Sequence, residues 1–426
     1  MRWPLFFPLP KRGACLDLLV ICSLVALLWH FIGAQQFNHA WTKKASSGSS
    51  EASNDARRSC QRLPGAHETV VVIETSAAEL EERLPIHFST TIPCYPNYLI
   101  FSDWAAKYKN HTIRDALSSV SPALRSTHPD FDLWRRLRKG GPDVLEDEEI
   151  WNSAMTTKDL DKWMILPIIR QTFERYPNQK WYVFLETDTF VHWSNLLAWL
   201  QELDPKDLHY IRASEDQSSQ SGSGVTLSHA SMELLAKEID AEHSTFETLT
   251  KAKSSGGAVL RMVLAGIGVK PTFASPKRDT ASLGSLDYNE RTSGKRRWCS
   301  PAVAYHGVSP ANIAELWKFE QECDMFQFFI KPRLAIRFGR VDDWDNYSSV
   351  NPAHSHPASS VDQCLQSCAG RSECVQFFFF NGTCHLSYVP RLGDFAAGVR
   401  SRWILPRLVR WVDNIEACRD QELGFI

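Results

Sequence analysis

A layered α/β domain followed by a small disulfide-held module is the fold class that this sequence predicts. Three observations carry it. Short apolar, β-branched runs alternate with helical patterns from Thr69 to Tyr305, which is the order of β-α-β units. One of these runs, WYVFLETDTFVHW from Trp181 to Trp193, ends in two carboxylates, Glu186 and Asp188. Beyond Gly339 the texture changes, and four cysteines crowd between Cys364 and Cys384.

The chain has 426 residues, enough for one large domain and a module. Lys and Arg total 47 against 49 Asp and Glu, so no basic excess points to nucleic acid. The 15 tryptophans suit packing first and stacking on sugars second.

At the N-terminus Arg2, Lys11 and Arg12 precede an apolar run of roughly 18 residues, near the lower limit for a tilted membrane span. Positive charge ahead of it assigns the N-terminus to the cytosol. The expectation is a cytosolic tail (1–14), a transmembrane signal anchor (15–34) and a single-pass type II protein of the Golgi or ER membrane, its bulk luminal. A cleaved signal peptide, with Gly33-Ala34 near the cut, is the competing reading. Cysteine-dense spacing beyond the anchor reads as disulfides in an oxidising compartment. Asn110, Asn346 and Asn381 head glycosylation sequons.

Residues 35–66, rich in Ser, Ala, Lys and Asn, show no apolar period and predict a flexible stem. Strands are expected at Thr69–Ile73 and Asn97–Phe101, with a short helix at Ala77–Leu84 between them. Residues 110–155 read as a variable surface excursion. Lys158 to Tyr176 is the strongest helical pattern, and Pro167 is expected to kink it or mark an early turn.

The run from Trp181 is a buried strand by its apolar and β-branched content. In extended chain, positions i and i+2 share a side, so Glu186 and Asp188 leave the strand tip together. Such a tip suits a divalent cation carried by a phosphate-bearing ligand. Ser194-Asn195 reads as the cap of the following LLAWL helix. A short strand at Leu208–Ile211, a Ser/Gly loop at Gln217–Gly224 and a helix at Ser228–Ile239 come next. Gly222 and Gly224 permit close backbone approach to a ligand. Ser254–Gly257 opens a helix at Val259–Ala265, residues 276–297 are charged and loop-like, and a strand at Pro301–Tyr305 leads to His306.

Four blocks of this chain are similar to a known family. DKWMILPIIRQTFERYPNQKWYVFLETDTFVHWSNLLAWL, GSGVTLSHASMELL, SSGGAVLRMVLAGIGVK and WCSPAVAYHGVSPANIAELWKFE resemble the fungal branch of glycosyltransferase family 31, relatives of the core 1 β-1,3-galactosyltransferase and of Fringe. The segment from Cys364 to Trp403 resembles a PAN/apple module. The resemblance implies a GT-A domain at 67–335, the PAN/apple-like module at 339–405 and a C-terminal tail at 406–426. It implies a UDP-sugar donor, a glycan or glycoprotein acceptor and bound Mn²⁺. Asp188, Glu186 and His306 are its implied metal ligands, with Asp103, Asp161 and Lys162 beside the nucleotide. It also implies nested bridges, Cys364 with Cys384 and Cys368 with Cys374. Pairing of Cys60, Cys94, Cys299, Cys323 and Cys418 stays open.

The implied activity is an inverting hexosyltransfer of galactose from UDP-galactose in a β-1,3 linkage. A cation on the diphosphate would stabilise the departing charge, and a carboxylate would take the acceptor's proton. Gly257 stands where the family pattern expects an acid, leaving Glu215 and Asp216 as candidate bases. That departure motivates the alternative of a catalytically silent relative that binds UDP-sugar or glycan and acts as an adaptor through its module.

Overall fold

Thr69–Glu74 (β1) lies at the centre of an eight-stranded sheet because its TVVVI run offers apolar side chains to both faces. In the computed structural model, residues 60–146, 158–212, 224–273, 278–279, 291–292, 295–296, 302–322, 340–391 and 393–414 are described. The other strands of the sheet are Asn97–Ser102 (β2), Ala106–Tyr108 (β3), His111–Asp115 (β4), Trp181–Glu186 (β5), Tyr210–Arg212 (β7), Val225–Ser228 (β8) and Pro271–Phe273 (β9); Phe190–Val191 (β6) pairs elsewhere. Their order is β3-β4-β2-β1-β5-β8-β7-β9. β1 runs parallel to both β2 and β5, whereas β8 is antiparallel to β5.

Period-two alternation divides the core. Val70, Val72, Phe101, Tyr182 and Phe184 face one layer, built by helices Lys158–Arg175 (α2), His229–Ala241 (α4) and Gly256–Gly266 (α5). Val71, Ile73, Ile100, Val183 and Leu185 face the other, built by Leu84–Ser89 (α1) and Trp193–Leu200 (α3). A strand covered on both faces needs no polar alternation, hence the continuous apolar run. Caps at Ser228 and Ser255 start α4 and α5, each hydroxyl accepting a backbone N–H three residues on.

Several expectations are corrected. Residues 77–83 form turns, and the helix begins at Leu84 with Pro85 in its first turn, where fixed φ is tolerated. α2 continues past Pro167, so the proline marks no early turn. α3 starts at Trp193 without a side-chain cap, because Asn195 is buried and donates to the Ala302 carbonyl at 2.8 Å. The excursion after residue 110 supplies β4 and helix Asp132–Gly140, which buries Leu133, Trp134 and Leu137. Residues 60–66 belong to the folded domain rather than to a stem, since Cys60 is bridged to Cys94 and Ala66 is buried.

The expected type II membrane protein of the Golgi or ER is corrected as well. Among the described residues no helix is long and apolar enough to cross a membrane. The run 15–34 lies outside those residues.

Short strands Arg278–Asp279 (β10), Arg291–Thr292 (β11), Lys295–Arg296 (β12) and Ala304–Tyr305 (β13) follow the large sheet; β10, β13 and β6 form a separate sheet. Helix Pro310–Glu322 (α6) comes after β13. The module is a five-stranded sheet, β14-β18-β16-β17-β15, made of Arg340–Asp345 (β14), Ser355–Pro357 (β15), Gln376–Phe380 (β16), Thr383–Ser387 (β17) and Asp394–Trp403 (β18). Helix Val361–Ala369 (α7) packs on it through Cys364 and Cys368. Cys364 is joined to Cys384 and Cys368 to Cys374; Cys299, Cys323 and Cys418 lie outside the described residues. Asn381 and Gly382 turn β16 into β17 with φ 45° and 73°, the left-handed pair that a two-residue hairpin loop needs.

Asn110 and Asn381 are exposed at hairpin turns. Asn346 is fully buried instead: its Nδ2 donates to Phe377 O at 3.0 Å and Arg402 O at 3.3 Å, and its Oδ1 accepts from Ser348 at 2.7 Å. A glycan on Asn346 is incompatible with the folded module. The segment expected as a tail forms helix Leu405–Asp413. There Arg407 donates to the carbonyls of Cys368, Ala369, Arg371 and Cys374, closing the C-terminal end of α7. Trp411 of the same helix packs against the Phe190, Tyr305, Val308 and Ile313 cluster.

Candidate active site

β5 brings Glu186 to the carboxyl end of the central parallel strands, and a tight turn follows, with Thr189 N–H donating to Glu186 O at 3.1 Å. β6 then pairs antiparallel with β13, Phe190 opposite Tyr305 and Val191 opposite Ala304. That register sets the next residue of β13, His306, beside Thr189 and Asp188. Val308 N–H donating to Asp188 O at 2.8 Å locks the two segments. His306 Nδ1 thus lies 3.1 Å from Asp188 Oδ1 and 3.1 Å from Thr189 Oγ1, and its Nε2 lies 3.7 Å from Glu186 Oε2. One ligand atom from each of Glu186, Asp188 and His306 falls within 4.8 Å of the others.

The Asp188 carboxylate, with Glu186 behind it, holds the His306 imidazole above its usual range against the opposing effect of burial. Asp188 Oδ1 is itself buried and receives no well-directed hydrogen bond, although the imidazole is close. Asp188 Oδ2 faces Arg83 Nη1 at 3.6 Å. A buried carboxylate oxygen whose one nearby donor is poorly aimed is costly, and the donor set fits a cation. Two carboxylates and an imidazole suit Mn²⁺ better than Ca²⁺ or Mg²⁺, which prefer all-oxygen shells.

A second carboxyl group adjoins the first. Glu74, half-buried at the end of β1, is the register partner of Glu186. It shares a hydrogen bond with Asp161 of α2, and burial, reinforced by Asp161 and then Glu186, raises it well above the usual carboxylate range. Asp161 is also raised by burial, while its Oδ2 accepts the Gly256 N–H at 2.8 Å. A Cβ on Gly256 would meet the Asp161 carbonyl at 3.1 Å, so the helix start approaches α2 closely and a larger residue would have to push α2 back by a few tenths of an ångström. Asp103, after β2, accepts from Ala77 N–H at 2.7 Å and Ser102 Oγ at 2.9 Å, and burial pushes it up to about 6. Its Oδ2 is buried without a partner, as are Thr75 Oγ1 and Thr187 Oγ1. These orphans sit at the carboxyl ends of β1, β2 and β5, the edge where open α/β sheets take ligands.

Lys162 goes elsewhere. It pairs with Asp130 at 2.7 Å and lines a groove with Trp163, Arg170 and Phe246. Successive helix residues diverge by about 100°, so Asp161 and Lys162 cannot both face the acid cluster. Gly224, with φ 69°, enters β8 and donates to Phe184 O at 2.8 Å. Gly222, Glu215 and Asp216 lie outside the described residues. Gly257 is the second residue of α5, next to the Gly256–Asp161 contact, and contributes no acid.

Sequence reasoning missed Glu74, Arg83 and His87. Glu74 was findable as a carboxylate ending a parallel strand beside β5. His87 is buried, with Nε2 2.7 Å from Thr187 O and Nδ1 2.9 Å from Thr91 Oγ1. Burial lowers its pKa. A carbonyl only accepts, so Nε2 carries the proton and Nδ1 accepts from the threonine.

The geometry can now be set beside known proteins. No family model matches the chain, and no curated protein does. Among solved structures, a glycosyltransferase involved in the glycosylation of the major capsid of PBCV-1 is similar over 58% of this chain and 98% of its own. The identity is 16% and the TM-score 0.28.

Proposed function

We propose that the protein is a glycosyltransferase that takes its sugar from a nucleotide-diphosphate donor with the help of a divalent cation. One observation carries the reading. Glu186, Asp188 and His306, from distant parts of the chain, converge at the carboxyl edge of parallel strands, within 4.8 Å of one another. The sequence blocks that resemble family 31 favour the finer version: UDP-galactose, Mn²⁺, and inverting transfer in a β-1,3 linkage to a glycan or glycoprotein.

Glu186, Asp188 and His306 would hold the cation, and the chemistry it supplies when bound is neutralisation of charge growing on the leaving diphosphate. Thr189 steers the His306 ring through Nδ1. Asp103 Oδ2 has an unused acceptor for a donor group on the nucleotide. The acceptor hydroxyl must lose a proton to a basic group. Glu74, half-buried and in register with Glu186, joins Glu215 and Asp216 as a candidate.

Incubating the full chain with Mn²⁺ and a panel of UDP-sugars, and following UDP release, tests the reading. Metal-dependent turnover is expected, falling at least about a hundredfold in Asp188→Ala. No turnover, or turnover indifferent to Asp188 and to chelation, overturns it. Gly257 favours one second reading, a silent relative that binds UDP-sugar and acts through its PAN/apple-like module. It predicts UDP binding without turnover, restored by Gly257→Asp.

A further inference from the structure

Arg83 and His87 stand four residues apart at the start and in the body of α1, hence on one side of it. Both address the same three-residue tip. His87 grips its backbone through Thr187 O at 2.7 Å, while Arg83 reaches its carboxylate, Nη1 to Asp188 Oδ2, at 3.6 Å. The His87 contact is buried and made by a neutral ring, so it fixes the spacing between α1 and the tip. Arg83 is therefore placed by the scaffold rather than by chance of a surface side chain.

Its contacts are loose. Arg83 Nη1 is also 3.6 Å from Glu79 Oε1, and the side chain is 36% exposed. Neither pairing is the two-bonded fork that arginine forms with a carboxylate when a site is built for that alone. Among the described residues, Arg83 is the Lys or Arg paired with Asp188.

We infer that Arg83 is a transferable counter-charge: it neutralises Asp188 while the site holds no cation, and passes to the donor's diphosphate once the site is loaded. This rests on the proposed glycosyl transfer. A cation on Asp188 Oδ1 would repel the guanidinium at Oδ2 and take up much of the carboxylate's charge, so loading loosens the hold of Asp188 on Arg83. Glu79 keeps it nearby. The diphosphate then offers oxygens in the spacing that a planar guanidinium matches with paired hydrogen bonds. Arg83 would thus oppose the metal alone yet favour the metal and nucleotide together.

Opposite signs from one substitution test this. In the full chain without nucleotide, Arg83→Gln is expected to bind Mn²⁺ about two- to fivefold more tightly, as an exposed ion pair no longer competes. At saturating Mn²⁺ the same variant is expected to bind UDP about tenfold or more weakly. Arg83→Lys keeps the charge but not the fork, so it should leave Mn²⁺ affinity near the parent's and still lose much of the UDP affinity. Calorimetric titration reads all three without turnover, and unchanged melting temperatures show that α1 is intact. Unchanged or weaker Mn²⁺ binding in Arg83→Gln, or unchanged UDP binding, overturns the inference. Asp188→Asn separates the two readings. If Mn²⁺ binds the parent through Asp188 and Arg83→Gln moves neither affinity, only the counter-charge role falls. If the parent shows no Asp188-dependent Mn²⁺ binding, the proposed function falls with it.

Discussion

The carboxyl edge of the large sheet and the interior of the C-terminal module treat buried polar groups in opposite ways. In the module, Asn346 spends both ends of its amide, Gln376 Nε2 donates to Asn346 O at 2.6 Å while its Oε1 accepts from Arg391 N–H at 2.8 Å, and Ser401 Oγ donates to Trp344 O at 2.6 Å. Among its described residues no buried side-chain polar atom lacks a hydrogen bond. At the sheet edge Thr75, Asp103, Thr187 and Asp188 all keep one. The module's polar interior is a fastening, complete in the free protein. The sheet edge keeps unpaired polar atoms at a cost in stability, as the proposed ligand site would require.

Substitution in the two regions should therefore change stability with opposite signs. The largest effect is expected in the module. Asn346→Ala strands the carbonyls of Phe377 and Arg402 and the Ser348 hydroxyl, and should cost about 2–4 kcal/mol in chemical denaturation. A loss under about 1 kcal/mol would erase the contrast.

Next comes Glu320 of α6, beneath the site. Burial pushes its carboxyl up to about 8, opposed by the Trp193 backbone N–H, and burial pushes His192 down to about 3. His192 Nδ1 and Glu320 Oε1 are 4.0 Å apart. The separation suggests an ion pair, yet both shifts favour neutral partners, and neutrality is the more consistent state for groups this buried. Glu320 keeps its proton in the folded chain where the unfolded chain has lost it. Its contribution is full below about 4.5 and drains away as pH rises to about 8. Glu320→Gln should gain about 1–3 kcal/mol at pH 8 and flatten that slope, as melting curves across pH would record.

The smallest change is expected at Asp103, raised to about 6. The same sign holds, with stability lost as pH climbs from about 3.8 to about 6. Asp103→Asn should gain about 1 kcal/mol at pH 7 while weakening UDP binding. A variant both more stable and fully competent for UDP would place Asp103 outside the donor pocket.

Much of the fold was legible because its signals are local. Unbroken apolar runs marked β1 and β5, and helical patterns marked α4 and α5. The acids at the tip of β5 were readable as a pair from strand spacing. His306 was not readable from its own surroundings, because the β6–β13 register that delivers it joins segments more than a hundred residues apart. Only the resemblance singled it out. Arg83 and His87 stayed hidden since α1 begins at Leu84, about two turns beyond the Ala77 start that its composition implied. The Asn346 sequon misled for the converse reason. Three residues define a sequon, whereas burial of Asn346 depends on pairing between β14 and β18, with its irregularity between Asp342 and Trp344.

Helix Leu405–Asp413 gives the last lesson. Arg407 stoppers the end of α7 in the module, and Trp411, about a turn further along, wedges against Phe190 and Tyr305, the residues whose pairing delivers His306. A protease nick just ahead of Leu405 would pull a single peg from two joints. The module would lose its stopper as the imidazole's strand lost its backing, and a cut ahead of Leu405 would be felt at the candidate cation site.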